Sequence, residues 1–229
     1  MKLGTILSLV LVLICIGFSR GYSKEEVCPI DGKKFEFNSK KNLALGINQK
    51  YPECPRCGFV LFEVRSYNPY REKFKQYIMS DEYQKMRKTE TQTWRIAKIV
   101  EADQRPLETY VGYLEEATLS ANSKQYSKYA KEAIDRELDV VKRWESYGDI
   151  VATIPRLIII DLYRSLGEFE NAKNMILETK KMIVKENNND NTNYKEALGI
   201  LDKQLVLLDK KDIKRRYLRN KEGEWSFRN

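Results

Sequence analysis

Apolar and polar positions follow two rhythms along the chain, and the change between them comes near residue 70. Upstream, Phe35 and Phe37 alternate with polar residues, and Phe59, Leu61 or Val60, Phe62, Val64 repeat the pattern, a period of two that predicts short strands. From Tyr70 onward apolar residues return every three to four positions, as on helices that bury one face. Arg71 to Lys88 and Trp94 to Ala102 carry this pattern, with Ser80 or Asp81 as a cap between two short pieces. Pro106 suits a first helical position, and Leu107, Tyr110, Val111, Leu114, Ala117 and Ala121 make one stripe. Tyr126, Ala130, Ala133, Ile134, Leu138, Val141 and Trp144 make the next, closed near Gly148.

An isoleucine-rich segment, Ile150 to Leu166, predicts a buried helix that begins near Thr153 with Pro155 in its first turn, or a longer helix kinked at that proline. Leu166-Gly167 ends it, and Glu168 opens a helix with Phe169, Ala172, Ile176 and Ile183 on one face. Asn187 to Asn193 is a polar loop, and Tyr194, Ala197, Leu198, Leu201, Leu205 and Leu208 align on a final helix.

Composition agrees with a helix-rich body: 229 residues, 42% of them apolar, 32% charged and only 11 glycines. The formal charge of +8 raises the question of a nucleic-acid partner. The N-terminus argues otherwise. Lys2, the apolar run Leu3 to Phe18 and the exit Ser19-Arg20-Gly21 read as a secretory signal cleaved before Tyr22. An uncleaved membrane anchor and lipidation at Cys15 are the alternatives, although Ile14 is a poor neighbour for the latter. Removing residues 1–21 takes away Lys2 and Arg20 and leaves +6. An exported chain of that charge meets anionic lipid or envelope polymer sooner than nucleic acid.

The candidate chemistry lies in the strand-like part. The chain contains no histidine, which excludes Ser-His-Asp and Cys-His catalysis and every histidine-ligated metal centre. Of four cysteines, Cys15 lies in the signal region and Cys28, Cys54 and Cys57 remain, an odd number that fits poorly with a disulfide framework. Cys54-Pro55-Arg56-Cys57-Gly58 is a tight turn that aims two thiolates at one point, with Pro55 fixing one backbone angle and Gly58 allowing a positive φ. Cys28-Pro29-Ile30-Asp31-Gly32 keeps the same turn residues and exchanges one ligand. Aspartate is an acceptable oxygen ligand for zinc, so Cys28, Asp31, Cys54 and Cys57 can close a tetrahedron around one structural zinc ion. A disulfide made by Cys54 and Cys57, or by Cys28, and a metal-free ribbon are the competing readings.

The segment Leu162 to Leu177 resembles a tetratricopeptide repeat at Tyr163, Gly167, Phe169, Ala172 and Ile176. Paired C-P-x-C-G knuckles followed by such helices resemble an uncharacterised bacterial family, a domain of unknown function; the chain departs from its pattern at Asp31 and in the export signal. That resemblance implies no reaction. The expected fold is mainly α, a small zinc-ribbon-like β module followed by a tetratricopeptide-like helical-hairpin array. The expected boundaries are 1–21 for the signal, 22–68 for the ribbon, 69–105 for connecting helices, 106–208 for the helical domain and 209–229 for a basic tail.

Three roles compete. An exported, non-catalytic scaffold would bind a protein or peptide through its helical half. A thiol-exchange enzyme would use Cys54 and Cys57, although Gly58 leads into a strand rather than a helix N-terminus that would activate a thiol. An anionic-surface binder would use the basic segment Asp209 to Asn220.

Overall fold

The computed structural model describes residues 23–38, 51–62, 71–146, 149–186 and 192–214. The segment expected as a signal, with Cys15, as well as Val64, Gly148, most of the expected polar loop (187–191) and the expected basic tail from 215 lie outside the described residues. Two compact units divide the chain between Arg95 and Ile96, inside a helix.

In the first unit, β1 (Ser23–Val27) and β2 (Lys34–Asn38) form an antiparallel hairpin with Val27 opposite Lys34 and Ser23 opposite Asn38. Phe35 and Phe37 share one face of β2, as their alternation predicts. The second knuckle departs from the expected hairpin: among the described residues only a single bridge, Glu53 to Val60, is present. The reason lies in burial. Phe59, Val60 and Leu61 are consecutive and all buried, so this stretch is covered on every side instead of showing one dry and one wet face.

Three short helices follow: α1 (Arg71–Ile78), α2 (Asp81–Thr89) and α3 (Gln92–Ala102). Ser80 caps α2, its hydroxyl accepting from the Tyr83 amide, and Asp81 sits in the first turn, where a negative charge favours the helix dipole. Phe74, Ile78, Tyr83 and Trp94 supply the buried helical side chains of this unit.

The second unit is a helical array: α4 (Leu107–Ser120), α5 (Ser123–Glu145), α6 (Asp149–Ser165), α7 (Phe169–Glu186) and α8 (Thr192–Asp209). Each packs on its neighbour in sequence, and α8 also reaches back to α6. Pro106, expected as the first helical residue, is instead the N-cap of α4, which begins one position later at Leu107. Asn122 and Gln125 form a capping box at the start of α5. This helix buries Tyr129 and Val140, outside the predicted stripe, because it packs against α4 on one side and α6 on the other.

Helix α6 corrects one expectation. It begins at Asp149, well before Thr153, and Pro155 lies inside it. A proline there removes a backbone hydrogen bond and costs about 3 kcal/mol. Ala152, Leu157, Ile159, Ile160 and Leu162 are all buried on the same helix, and at roughly 1.5–3 kcal/mol for each large apolar side chain their burial outweighs that cost.

The α6–α7 turn forms as expected, with Gly167 at φ +78° and its amide bonded to the Arg164 carbonyl at 3.0 Å. Ala172, Ile176, Ile183, Ala197, Leu201 and Leu208 join Leu157 and Ile160 in one core cluster. Arg164 is fully buried within the unit: it donates to Gln204 Oε1 at 2.8 Å, to the Lys214 carbonyl at 2.9 Å, and to Asp161 and the Asp212 carbonyl. A buried guanidinium requires such saturation, and here it ties the chain beyond α8 back to α6. Among the described residues no helix is long and apolar enough to cross a membrane.

Two glycines of this unit should respond in opposite directions. Gly167 has open space around it but a left-handed backbone, so Gly167→Val should lower unfolding stability by about 1–2 kcal/mol or more. Gly199 lies within α8 with open space and ordinary φ, and Gly199→Ala should raise stability by roughly 0.5–1 kcal/mol. Urea titration followed by circular dichroism measures both.

Candidate metal centre

The two knuckles fold by one hydrogen-bond scheme. Gly32 donates its amide to the Cys28 carbonyl and Gly58 to that of Cys54, both at 2.9 Å. Cys28 in turn donates to the Lys33 carbonyl and Cys54 to that of Phe59, again both at 2.9 Å. Gly32 and Gly58 adopt φ of +71° and +76°, the left-handed backbone that each turn needs at its fifth residue. The amides of Ile30 and Asp31 face the Cys28 sulfur, and those of Arg56 and Cys57 face the Cys54 sulfur. Such N–H dipoles stabilise a thiolate, so each turn is shaped around its first sulfur.

These turns bring Cys28, Asp31, Cys54 and Cys57 together, each offering one ligand atom within 4.8 Å of the other three. The Cys28 and Cys57 sulfurs are 3.5 Å apart, and the Cys54 sulfur is 3.7 Å from both Asp31 oxygens. Zinc bonds of about 2.3 Å to sulfur and about 2.0 Å to oxygen at tetrahedral angles place two sulfurs roughly 3.8 Å apart and a sulfur and an oxygen roughly 3.5 Å apart. The spacing therefore fits a small tetrahedral cation. All three cysteines are free and buried, and the Asp31 side chain is 16% exposed.

Electrostatics agree with a site that expects positive charge. The neighbouring Cys57 thiol, more than burial opposes, brings Cys28 down to about 7. The shared hydrogen bond with Cys28 and then burial push Cys57 up, and burial pushes Cys54 up. One sulfur can ionise at the expense of its neighbours. Burial alone would raise the Asp31 carboxyl, but Arg56, the Lys33 amide and the Cys28 thiol together hold it far below the usual carboxylate range.

Side chains from α2 and α3 hold the second knuckle from behind. The Pro55 carbonyl accepts from Arg87 at 2.9 Å, that of Arg56 from Arg87 at 3.3 Å, and that of Cys57 from Gln84 at 2.9 Å. The Gly58 carbonyl accepts from Tyr83 at 2.9 Å and Arg95 at 3.0 Å. Glu53, just before Cys54, receives Arg95 at 2.6 Å and Arg87 at 3.3 Å. Gln92 pairs with the Tyr51 backbone in both directions. With its carbonyls bound outward, the turn directs its amides inward to sulfur.

Compared with family models, curated proteins and solved structures, the chain shows no match. All four residues singled out in the sequence meet at one point, and the structure adds Arg56, which donates to Asp31 Oδ2 at 2.8 Å and also to the Asp31 carbonyl. Its signal was present as an arginine between Pro55 and Cys57. Glu53, Tyr83, Gln84, Arg87 and Arg95 carry no local motif, because their role depends on helices folding behind the turn.

The two turn glycines differ in their surroundings. A Cβ on Gly58 would lie 2.4 Å from Arg87 Cδ, whereas one on Gly32 would meet nothing within 4 Å. Gly58→Ala should dislodge Arg87 from the Pro55 and Arg56 carbonyls and lower metal affinity more than Gly32→Ala, which adds only backbone strain of about 1–2 kcal/mol. Zinc competition titration of the two variants compares them, with equal losses contradicting the role of Arg87.

Proposed function

We propose that this protein is an exported, non-catalytic scaffold or protein-binding module whose first unit is closed by one structural zinc ion on Cys28, Asp31, Cys54 and Cys57. The observation that carries this reading is the approach of four donor atoms to within 4.8 Å on two matching turns. Three thiolates favour a borderline-soft cation, and one carboxylate oxygen is compatible with zinc. With four protein ligands a tetrahedral ion has no position left for water or substrate, and such closed sites stabilise folds. A chain without histidine supports the same side of the choice.

The helical unit supplies the binding half of the proposal. Successive hairpins such as α4–α5 and α6–α7 offer extended surfaces suited to a protein or peptide. Export rests on the sequence of residues 1–21, and an envelope partner follows from that address.

Native mass spectrometry of the protein from its own host tests metal and address together. The expected species begins at Tyr22 and carries one zinc ion, which Cys54→Ser loses. Reduced protein without metal, or a quantitative Cys54–Cys57 disulfide, overturns the zinc reading, and a retained Met1 overturns cleavage.

Affinity capture from envelope extracts tests the scaffold. A partner retained by the wild type and by Cys54→Ser but lost with Gly167→Val would place binding on the helical unit. Thiol-exchange turnover that Cys54→Ser abolishes, with no such partner, would make the protein an enzyme instead.

A further inference from the structure

Arg56 and Ile30 occupy equivalent third positions in the two knuckles, and they differ in every physical respect. Ile30 is a buried apolar residue, 1% exposed. The Arg56 side chain is 59% exposed and reaches across to the other knuckle. Its Nε donates to Asp31 Oδ2 at 2.8 Å, and its Nη2 donates to the Asp31 carbonyl. One planar guanidinium therefore grips the side chain and the backbone of the single ligand that is not a cysteine.

Because the Cys54 sulfur is 3.7 Å from both Asp31 oxygens, distance alone does not select which oxygen faces the sulfurs. The hydrogen bonds differ. The Cys54 thiol is shared by both oxygens; beyond it, Oδ2 accepts the charge-assisted bond from Arg56 and Oδ1 the neutral Lys33 amide at 2.9 Å. A charge-assisted bond is roughly twice as strong as a neutral one. It withdraws more electron density from Oδ2 and leaves Oδ1, with a lone pair to spare, as the better donor.

We propose that Arg56 is a positioning residue for the metal: it fixes the Asp31 carboxylate so that one oxygen, Oδ1, completes a four-coordinate site. This rests on the zinc reading of the same cluster. A carboxylate without such a clamp can bind through both oxygens or swing away and admit water, whereas a thiolate has a single donor atom and, as the softer ligand, holds the ion more firmly. The arginine thus compensates for the aspartate in the first knuckle. Groups behind a metal ligand typically contribute about 10–100-fold to affinity, and that is the effect expected of Arg56.

Cobalt(II) is the probe, because its visible bands report coordination number, and the full chain is used. Wild type should bind one Co²⁺ with the intense bands of a four-coordinate ion. Arg56→Ala should bind it about 10–100-fold more weakly and with reduced band intensity as water or the second oxygen enters. Arg56→Lys, which keeps the charge without the fork, should recover only part of both. In an Asp31→Cys background Arg56→Ala should leave affinity nearly unchanged, because a thiolate needs no clamp. Since Arg56 is exposed, these variants should keep the helical circular dichroism of the wild type. Unchanged binding and spectrum in Arg56→Ala would overturn the proposal, and so would an equal loss in the Asp31→Cys background, which would reduce Arg56 to a counter-charge. Folded, reduced wild type that takes up no Co²⁺ would overturn the metal reading itself.

Discussion

Three thiols and a carboxylate within 4.8 Å of one another cannot all ionise unless a cation lies among them, because like charges about 4 Å apart repel by roughly 4 kcal/mol per pair near a protein surface. That constraint organises the first unit. Without a cation the cluster shares protons, so that Cys28 ionises most readily while Cys54 and Cys57 are pushed up. A divalent ion removes the conflict and makes all four groups attractive to the same point. The turns are shaped for that outcome, since their amides face sulfur and their glycines supply the left-handed backbone that brings ligands one and four of each motif together.

Folding such turns creates a second demand, because a backbone that aims its amides inward leaves its carbonyls facing outward. In the second knuckle those carbonyls meet Arg87, Gln84, Tyr83 and Arg95 from α2 and α3, and Glu53 pairs with both arginines. Hydrogen bonds of this kind contribute about 0.5–1.5 kcal/mol each, and leaving a buried carbonyl unmade costs more than making it gains. The helices behind the knuckle are therefore part of the site. The knuckles' own apolar core amounts to little beyond Ile30, Phe59, Val60 and Leu61, which is why the helical backing matters to such short turns.

How legible this was depended on how local the physics is. The cluster could be read from sequence because Pro, Gly and the spacing act within five residues, and Asp31 stands in its turn where Cys57 stands in the other. The α6–α7 turn was legible for the same reason, through Gly167 and Ala172. Pro155 misled because a local rule about proline met a tertiary force, the burial of the isoleucines around it on α6. The second strand misled because alternation and full burial look alike in a run as short as Phe59 to Leu61. Arg164 gave no signal at all: its partners Gln204 and Lys214 come from 40 and 50 positions away, and only folding of α8 against α6 brings them within reach.

The two knuckles also share their burdens unequally. The second is held by α2 and α3 before any ligand is considered, whereas the first is carried by the β1–β2 hairpin and joined to the second through the Arg56 to Asp31 pair. A weaker ligand is best tolerated where a stronger neighbour can hold it, and Asp31 stands on the knuckle that Arg56 reaches. Had the aspartate replaced Cys57 instead, the equivalent position on the facing turn would be Ile30, whose side chain has no group to donate and is buried. The aspartate on one turn and the arginine on the opposite turn are thus one structural feature, and the anchoring of the second knuckle by the helices gives that arginine a fixed base.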